Sequence, residues 1–380
     1  MSNPSDLKIV ADADLYRISE IFADLGELQL VPGREITSAH AQNADALLVR
    51  SITEVNQELL KGSSIKFVGS ATSGIDHIDL ELLNTRGIHF KDAKGFNANA
   101  VVDYCFVVLG KLQLIKAERL RSLKIGILGY GAIGSLFAQK LNALGATVLI
   151  NDPPLERIQN VNGTNLREFS SFEEIANCDV ISVHTPLTDS GDFPTRDLID
   201  EDFLQRLPEN TLLINSCRGG VVNENAVLDV LEKRNDILYV FDVWTNEPNV
   251  STELVSKVHL ATPHIAGYSM ESKLAAVSSL RDGFVNYFQL DSGTNVSNAK
   301  LRNGEEQPYQ IKNVDQGLES SFDIEKLSCK FKHAVTGKNV AAYFDQARKD
   351  LLTRREIKSL ALQLINENDF EQKVIKVLSA

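Results

Sequence analysis

The chain has 380 residues, 43% hydrophobic and 24% charged. At roughly 150 residues per domain this implies two or three folded domains, and it excludes a fibrous repeat or a wholly disordered chain. Lys and Arg number 39 against 51 Asp and Glu, a formal net charge of −12, which disfavours a nucleic-acid binder; an anion would have to be held by locally placed cations and backbone N–H groups.

Residues 7–11 read as a strand, and 15–25 as a helix stopped by Gly26. Residues 46–50 and 65–69 are strand-like apolar runs, and 80–86 read as a helix ended by Gly87. Such alternation implies a parallel sheet covered on both faces. Residues 99–114 read as a helix that is apolar nearly all round, hence buried; Asp103 interrupts it, and it is too short to span a bilayer. Asp6, Asp12, Asp14 and Glu20 argue against a secretory signal, so a soluble, cytoplasmic protein is expected. Lys124 opens a second alternating region, with strands expected at 125–129, 147–151, 180–183, 212–215, 238–243 and 258–261. A helix over about 269–290 follows and could return to the first domain. Residues 291–316 turn to Ser, Asn, Gly, Gln and Glu and read as a linker or arm, and 339–364 look helical and charged. Arg348, Lys349, Arg354 and Arg355 alternate with acids there and read as a solvated helix face; the alternative is that one reaches a phosphate pocket of a partner subunit. Cys105, Cys178, Cys217 and Cys329 form no Cys-x-x-Cys pair and read as small buried hydrophobes. Asp76-His77-Ile78-Asp79 lacks convincing ligand spacing, so no metal is expected.

Gly129-Tyr130-Gly131-Ala132-Ile133-Gly134 is the strongest local signal. It follows an apolar strand, opens a helix with apolar positions at Ile133, Leu136, Phe137, Leu141 and Leu144, and is followed by a second strand ending at Asp152. The glycines permit a tight turn and let backbone N–H groups approach a pyrophosphate at the helix N-terminus. Asp152 would accept hydrogen bonds from a ribose 2′-hydroxyl and repel a 2′-phosphate, favouring NAD over NADP. His184, after a later strand, reads as structural or as an adenosine neighbour.

Arg218, Glu247 and His264 fall at consecutive strand ends of this second region. Taken singly they could be a surface ion pair, a solvated carboxylate and a core histidine. Together, beside a dinucleotide turn, they suit oxidation of a secondary alcohol: an imidazole base, a carboxylate to fix its tautomer, and a guanidinium fork for a substrate carboxylate.

These residues lie within Cys217-Arg218-Gly219-Gly220-Val221-Val222, Asp242-Val243-Trp244-Thr245-Asn246-Glu247-Pro248 and Thr262-Pro263-His264-Ile265-Ala266-Gly267-Tyr268. With the glycine turn, the set resembles the D-2-hydroxyacid dehydrogenase family over about residues 5–290. The resemblance implies an α/β chain with a Rossmann NAD-binding domain and a flavodoxin-like substrate domain. Arg218 and Glu247 would be active-site residues, and His264 the proton donor and acceptor. Asp242, Thr185 and Gly267 would be NAD contacts, beside Gly129, Gly131, Ala132, Ile133, Gly134 and Asp152. A closer resemblance, to a branch acting on a phosphorylated hydroxyacid, is carried by residues 48–53, 67–77 and 188–198 and by the tail beyond Leu290. It implies Ser51, Thr72 and Tyr268 as substrate-binding residues, with charge added by Arg50, and a smaller α+β C-terminal domain that forms a homodimer. Asn223 stands where many relatives carry Asp, a change expected to touch loop packing. The expected domains are 1–98 with 266–290 for substrate, 99–265 for NAD, and 291–380 for dimerisation. Other family substrates, such as 3-phosphoglycerate or hydroxypyruvate and glyoxylate, remain alternatives, as does an NAD-sensing corepressor-like protein.

Overall fold

The computed structural model describes residues 6–163, 167–290, 309–337, 340–351, 353–365 and 368–380. The described chain divides into two compact units, one running to Asn97 and taking in Met270–Leu290, the other comprising Ala98–Ser269 and the described residues from Tyr309 onward.

The first unit is built on five parallel strands, β1 (Lys8–Asp12), β2 (Glu27–Val31), β3 (Ala46–Val49), β4 (Phe67–Ser70) and β5 (His89–Asp92). Their order, β2-β1-β3-β4-β5, is flavodoxin-like. The central strands β3 and β4 are buried at every residue, which is why they read as unbroken apolar runs. The helix Met270–Phe288 does return to this unit: Val277, Leu280, Phe284 and Phe288 pack with Ile9, Leu48 and Phe67 on one face of the sheet. The helix expected over 15–25 is only Ile18–Ile21, preceded by Arg17 in the left-handed region (φ 54°).

The second unit carries six parallel strands: β6 (Lys124–Leu128), β7 (Thr147–Asn151), β8 (Val180–Val183), β9 (Leu212–Asn215), β10 (Leu238–Phe241) and β11 (Leu260–Ala261). The order is β11-β10-β9-β8-β6-β7. The progression of strand order therefore reverses beside β6, and the turns after β6 and β8 flank the switch point where doubly wound sheets bind nucleotides. The helix Ala98–Lys111 is buried from Ala100 to Gly110, as its apolar circumference requires. Asn223 caps the helix Glu224–Leu231, its side chain accepting from Ala226 N–H at 3.0 Å, so the amide fills the place an aspartate would.

The described tail residues pack on this second unit. Helix Val314–Glu319 lies on Ala98–Lys111, Ile324–Val335 on β11, and Asp369–Leu378 on the helix Ala132–Leu144. Lys140 is 5% exposed, and its Nζ donates to the terminal carbonyls of Val377 (2.9 Å) and Leu378 (3.1 Å). The stretch 339–364, expected as one helix, is a helix only over Val340–Asp350; Leu362–Leu364 (β13) pairs in parallel with Tyr309–Ile311 (β12). Arg354, expected in solvent, is 2% exposed. Its guanidinium donates to the carbonyls of Ile265 (3.0 Å), Ala266 (2.9 Å) and Ala100 (2.7 Å), tying the His264 loop to the first turn of the helix Ala98–Lys111. Beside it, Asp103 accepts from Ile357 N–H at 2.8 Å, and burial, only partly offset by that N–H and Arg354, pushes its carboxyl up to about 7. Cys105, Cys178 and Cys217 are buried, whereas Cys329 is exposed. Among the described residues no helix is long and apolar enough to cross a membrane.

Candidate active site

The glycine turn leaves β6 where Leu128 lies opposite Val183 of β8. Gly129 sits at φ 90°, and a Cβ there would lie 2.7 Å from the His184 carbonyl oxygen, so only glycine closes this turn against the neighbouring strand end. Gly131 caps the helix Ala132–Leu144 with no side chain of its own, and a Cβ there would meet nothing within 4 Å. The space beside Gly131 is thus open among the described residues, at the helix end whose first N–H groups have no intrahelical partner. The buried hydroxyls of Thr185 and Ser216, on the turns after β8 and β9, have no nitrogen or oxygen partner among the described residues and lie beside the thiols of Cys217 and Cys105. A glycine-lined helix N-terminus at a switch point suits a dinucleotide diphosphate. Asp152 ends β7, its Oδ2 accepting from Tyr130 N–H (2.7 Å) and its Oδ1 from Leu155 N–H (3.0 Å). It thus ties the glycine turn to β7 as well as capping the helix Pro153–Asn162. His184 Nε2 lies 2.9 Å from Ser182 Oγ, and burial pulls its imidazole down to about 3, fixing it neutral.

Three further turns leave neighbouring strand ends. Asp242 N–H donates to Asn215 O (2.9 Å), and Thr262 N–H to Phe241 O (2.9 Å), which places the turns bearing Arg218, Glu247 and His264 side by side. The first two are pressed together: a Cβ on Gly219 would lie 2.0 Å from the Trp244 carbonyl oxygen. Trp244 N–H donates to Glu247 Oε1 at 2.9 Å, and Oε2 of that carboxylate lies 2.7 Å from His264 Nδ1. Burial pushes Glu247 up, but His264, Arg348 and the Trp244 N–H outweigh it and hold the carboxyl below its ordinary value. An ionised Glu247 can only accept, so Nδ1 carries the proton of the neutral ring and Nε2 is its acceptor nitrogen. His264 itself stands at φ 54°, a conformation enforced by its surroundings. Its N–H donates to Asp242 O (2.6 Å), while the Asp242 carboxylate accepts from Thr262 Oγ1 (2.6 Å), Ile265 N–H (2.7 Å) and Ala266 N–H (2.8 Å). Asp242, expected at the nicotinamide, is 0% exposed and is the buried anchor of the His264 loop. Arg218 is half-buried, with Nη1 donating to Cys217 O at 2.7 Å. Gly267 and Tyr268 follow in the same loop and are half-buried.

In the other unit, Ser51 and Thr72 follow β3 and β4, and Ser51 is exposed. Thr72 Oγ1 donates to Gly74 O (2.7 Å) and lies 2.7 Å from Ser70 Oγ, which is 2.9 Å from His77 Nε2. The expected added charge of Arg50 is taken up inside the unit, where the guanidinium donates to both oxygens of buried Asp12 (2.6 and 3.1 Å) and to Asp14 (2.8 Å).

Arg348, like Arg354, departs from the solvated face that the sequence suggests. It is 17% exposed, not solvated, with Nη2 3.2 Å from Glu247 Oε2 and Nε 3.2 Å from Pro263 O. Arg348 lies 85 positions from Pro263 and 101 from Glu247 in sequence, so no local pattern could have signalled these contacts.

Residues 107–266 match the family described as D-isomer specific 2-hydroxyacid dehydrogenase, NAD binding domain. Among solved structures, the NAD⁺-bound 3-phosphoglycerate dehydrogenase of Entamoeba histolytica aligns with a TM-score of 0.62 at 24% identity, over 76% of this chain and 97% of that one. An erythronate-4-phosphate dehydrogenase of Stutzerimonas stutzeri is 36% identical over 98% of this chain and 99% of its own length. Another, of Hahella chejuensis, is 42% identical over 75% of this chain and 73% of that protein. This chain belongs to the erythronate-4-phosphate dehydrogenase family, within the D-isomer specific 2-hydroxyacid dehydrogenases.

Proposed function

We propose that this NAD-dependent oxidoreductase converts 4-phospho-D-erythronate and NAD⁺ to 2-oxo-3-hydroxy-4-phosphobutanoate, NADH and a proton, a step of pyridoxine and pyridoxal 5′-phosphate synthesis. The contact between His264 Nδ1 and Glu247 Oε2, 2.7 Å, at the C-terminal edge of the nucleotide sheet carries the reading. Bound NAD supplies the acceptor for the hydride that leaves C2. Nε2 of neutral His264 takes the C2 hydroxyl proton, and Glu247 stabilises the imidazolium that results. Arg218 clamps the C1 carboxylate, a charge-assisted contact worth roughly 1.5–3 kcal/mol. Asp152 meets the adenosine ribose, and the glycine turn with Thr185 meets the diphosphate. Asp242 and Gly267 serve the nicotinamide end through the loop they build. Ser51, Thr72 and Tyr268 are assigned to the substrate; Arg50, matched by Asp12 and Asp14, shapes the end of β3.

The proposed assembly is a cytoplasmic homodimer joined through the C-terminal domain. What supports this is the likeness of the chain, tail included, to its relatives over 98% of its length. A panel of phosphorylated and plain 2-hydroxyacids, followed by NADH absorbance, tests the substrate. The proposal requires 4-phosphoerythronate to give the highest kcat/KM; turnover of other hydroxyacids without it would reject the assignment. Light scattering tests the dimer.

A further inference from the structure

Helix Val340–Asp350 belongs to the tail, yet Arg348 on it reaches the carboxylate that faces His264. Three contacts fix the guanidinium there. Nη2 lies 3.2 Å from Glu247 Oε2, the oxygen that also faces His264 Nδ1. Nε donates to Pro263 O, the residue before the histidine, at 3.2 Å. The plane lies 4.5 Å over the ring of Phe344, which is 1% exposed and packs on Phe331. Tyr268 contributes a second ring, 5.9 Å away. A single carboxylate oxygen is thus shared between an imidazole and a permanent cation, a different situation from an isolated Glu–His pair.

We propose that Arg348 is a positioning residue of the reaction: it holds the Glu247 carboxylate on Nδ1 of His264 and offsets part of the negative charge that the imidazole faces. The inference rests on the dehydrogenase reading for its use, though not for its physics. With Glu247 alone beside it, the imidazole would cling to its proton and act as a base only at higher pH. Arg348 works against that tendency without touching the ring. The other charged groups around the pair stay on their own partners. Arg218, on the adjoining turn, donates from Nη1 to Cys217 O at 2.7 Å, Glu224 accepts from Thr245 N–H at 2.5 Å, Asp242 is spent on the His264 loop, and Arg354 is spent on the carbonyls of Ile265 and Ala266. Arg348 is accordingly a cation that shares one oxygen of Glu247 with the ring.

The test is a ¹⁵N-histidine NMR titration of the full-length enzyme without substrate, with the His264 signal identified by its loss in His264→Asn. Arg348→Gln should raise the His264 midpoint by about one pH unit, the scale of removing a unit charge held a few ångströms away in a half-buried site. Arg348→Lys keeps the charge but cannot span Glu247 and Pro263 together, so it should keep the wild-type midpoint and lower kcat more than it raises KM. A glutamine variant with the wild-type midpoint overturns the proposal. So does a lysine variant whose midpoint rises by a full unit, an outcome that decides the matter even if the glutamine variant fails to fold. Because the titration needs no substrate, a wrong choice of hydroxyacid leaves it intact.

Discussion

Gly219→Ala probes the arrangement of the site at its tightest point. A methyl at residue 219 would lie 2.0 Å from the Trp244 carbonyl oxygen, 2.2 Å from its carbon and 2.7 Å from Thr245 N. Carbon needs roughly 3.5 Å from such atoms, and all three belong to backbone that no rotamer change can move. The two turns must therefore part by more than about 1 Å. Arg218 immediately precedes one side of that gap, while Trp244 N–H holds Glu247 from the other. The substitution thus pulls the guanidinium away from the Glu247–His264 pair. A displacement of this size costs about 10² in rate when reacting groups are otherwise aligned, and overpacking of this kind costs about 1–3 kcal/mol of stability. Initial rates of NADH formation should show kcat/KM down by about 10², and a melting curve should show a lowered but cooperative transition. Gly131→Ala makes the contrast: its φ is −72° and its Cβ meets nothing, so it should melt like the wild type while raising KM for NAD. A Gly219→Ala enzyme with wild-type kcat/KM and an undiminished melting temperature would refute the reasoning.

Glu247→Gln removes the negative charge beside His264, so the acid limb of the oxidation profile should move to lower pH by about one unit; a limb that stays in place would remove Glu247 from its role. Asp152→Ala takes away the acceptor for Tyr130 and Leu155 N–H; it should cost about 1 kcal/mol as a lost helix cap, raise KM for NAD and narrow the preference over NADP, and an unchanged NAD/NADP ratio would count against the ribose assignment. Asp103 has its carboxyl raised by burial to about 7 in the fold against 3.8 as the ordinary value. An acid so raised stabilises the fold below its unfolded value and loses that contribution as pH climbs through about 7. Urea midpoints of the wild type should therefore fall between about pH 4 and about pH 8, and Asp103→Asn should flatten the fall; parallel pH curves for the two proteins would contradict it.

The parts of this fold that were legible in the sequence are those whose burial is continuous. β3 and β4 are covered on both faces and read as apolar runs, and the glycine turn declared itself because strand, turn and helix each left a separate mark. β2 and β5 left none. They are the two edges of the first sheet, Glu27–Val31 with one buried residue and His89–Asp92 with none, so neither shows an apolar run. The site followed the same division. Glu247 and His264 were visible from strand-end spacing, whereas Arg348 and Arg354 were misjudged because their partners are distant backbone carbonyls and a carboxylate. Charge alternation along a segment records only its nearest neighbours, and no such pattern could distinguish a solvated arginine from one serving Pro263 or Ala100. The parallel β12–β13 pair was hidden for a related reason, joining segments some fifty positions apart.

The carbonyls served by Arg354 also bear on where this enzyme can be cut. A truncation designed at the compositional break after Leu290 would strip the donor from Ile265, Ala266 and Ala100 together, along with the Ile357 N–H that satisfies Asp103. Deprived of that donor in a dry interior, such carbonyls would recruit water or rearrange, and the first segment to rearrange would be the loop that carries His264. A minimal coenzyme-binding fragment of this chain should accordingly be a poorer protein than its sequence boundary promises, and shortening it from the far end would act on chemistry before it acted on assembly.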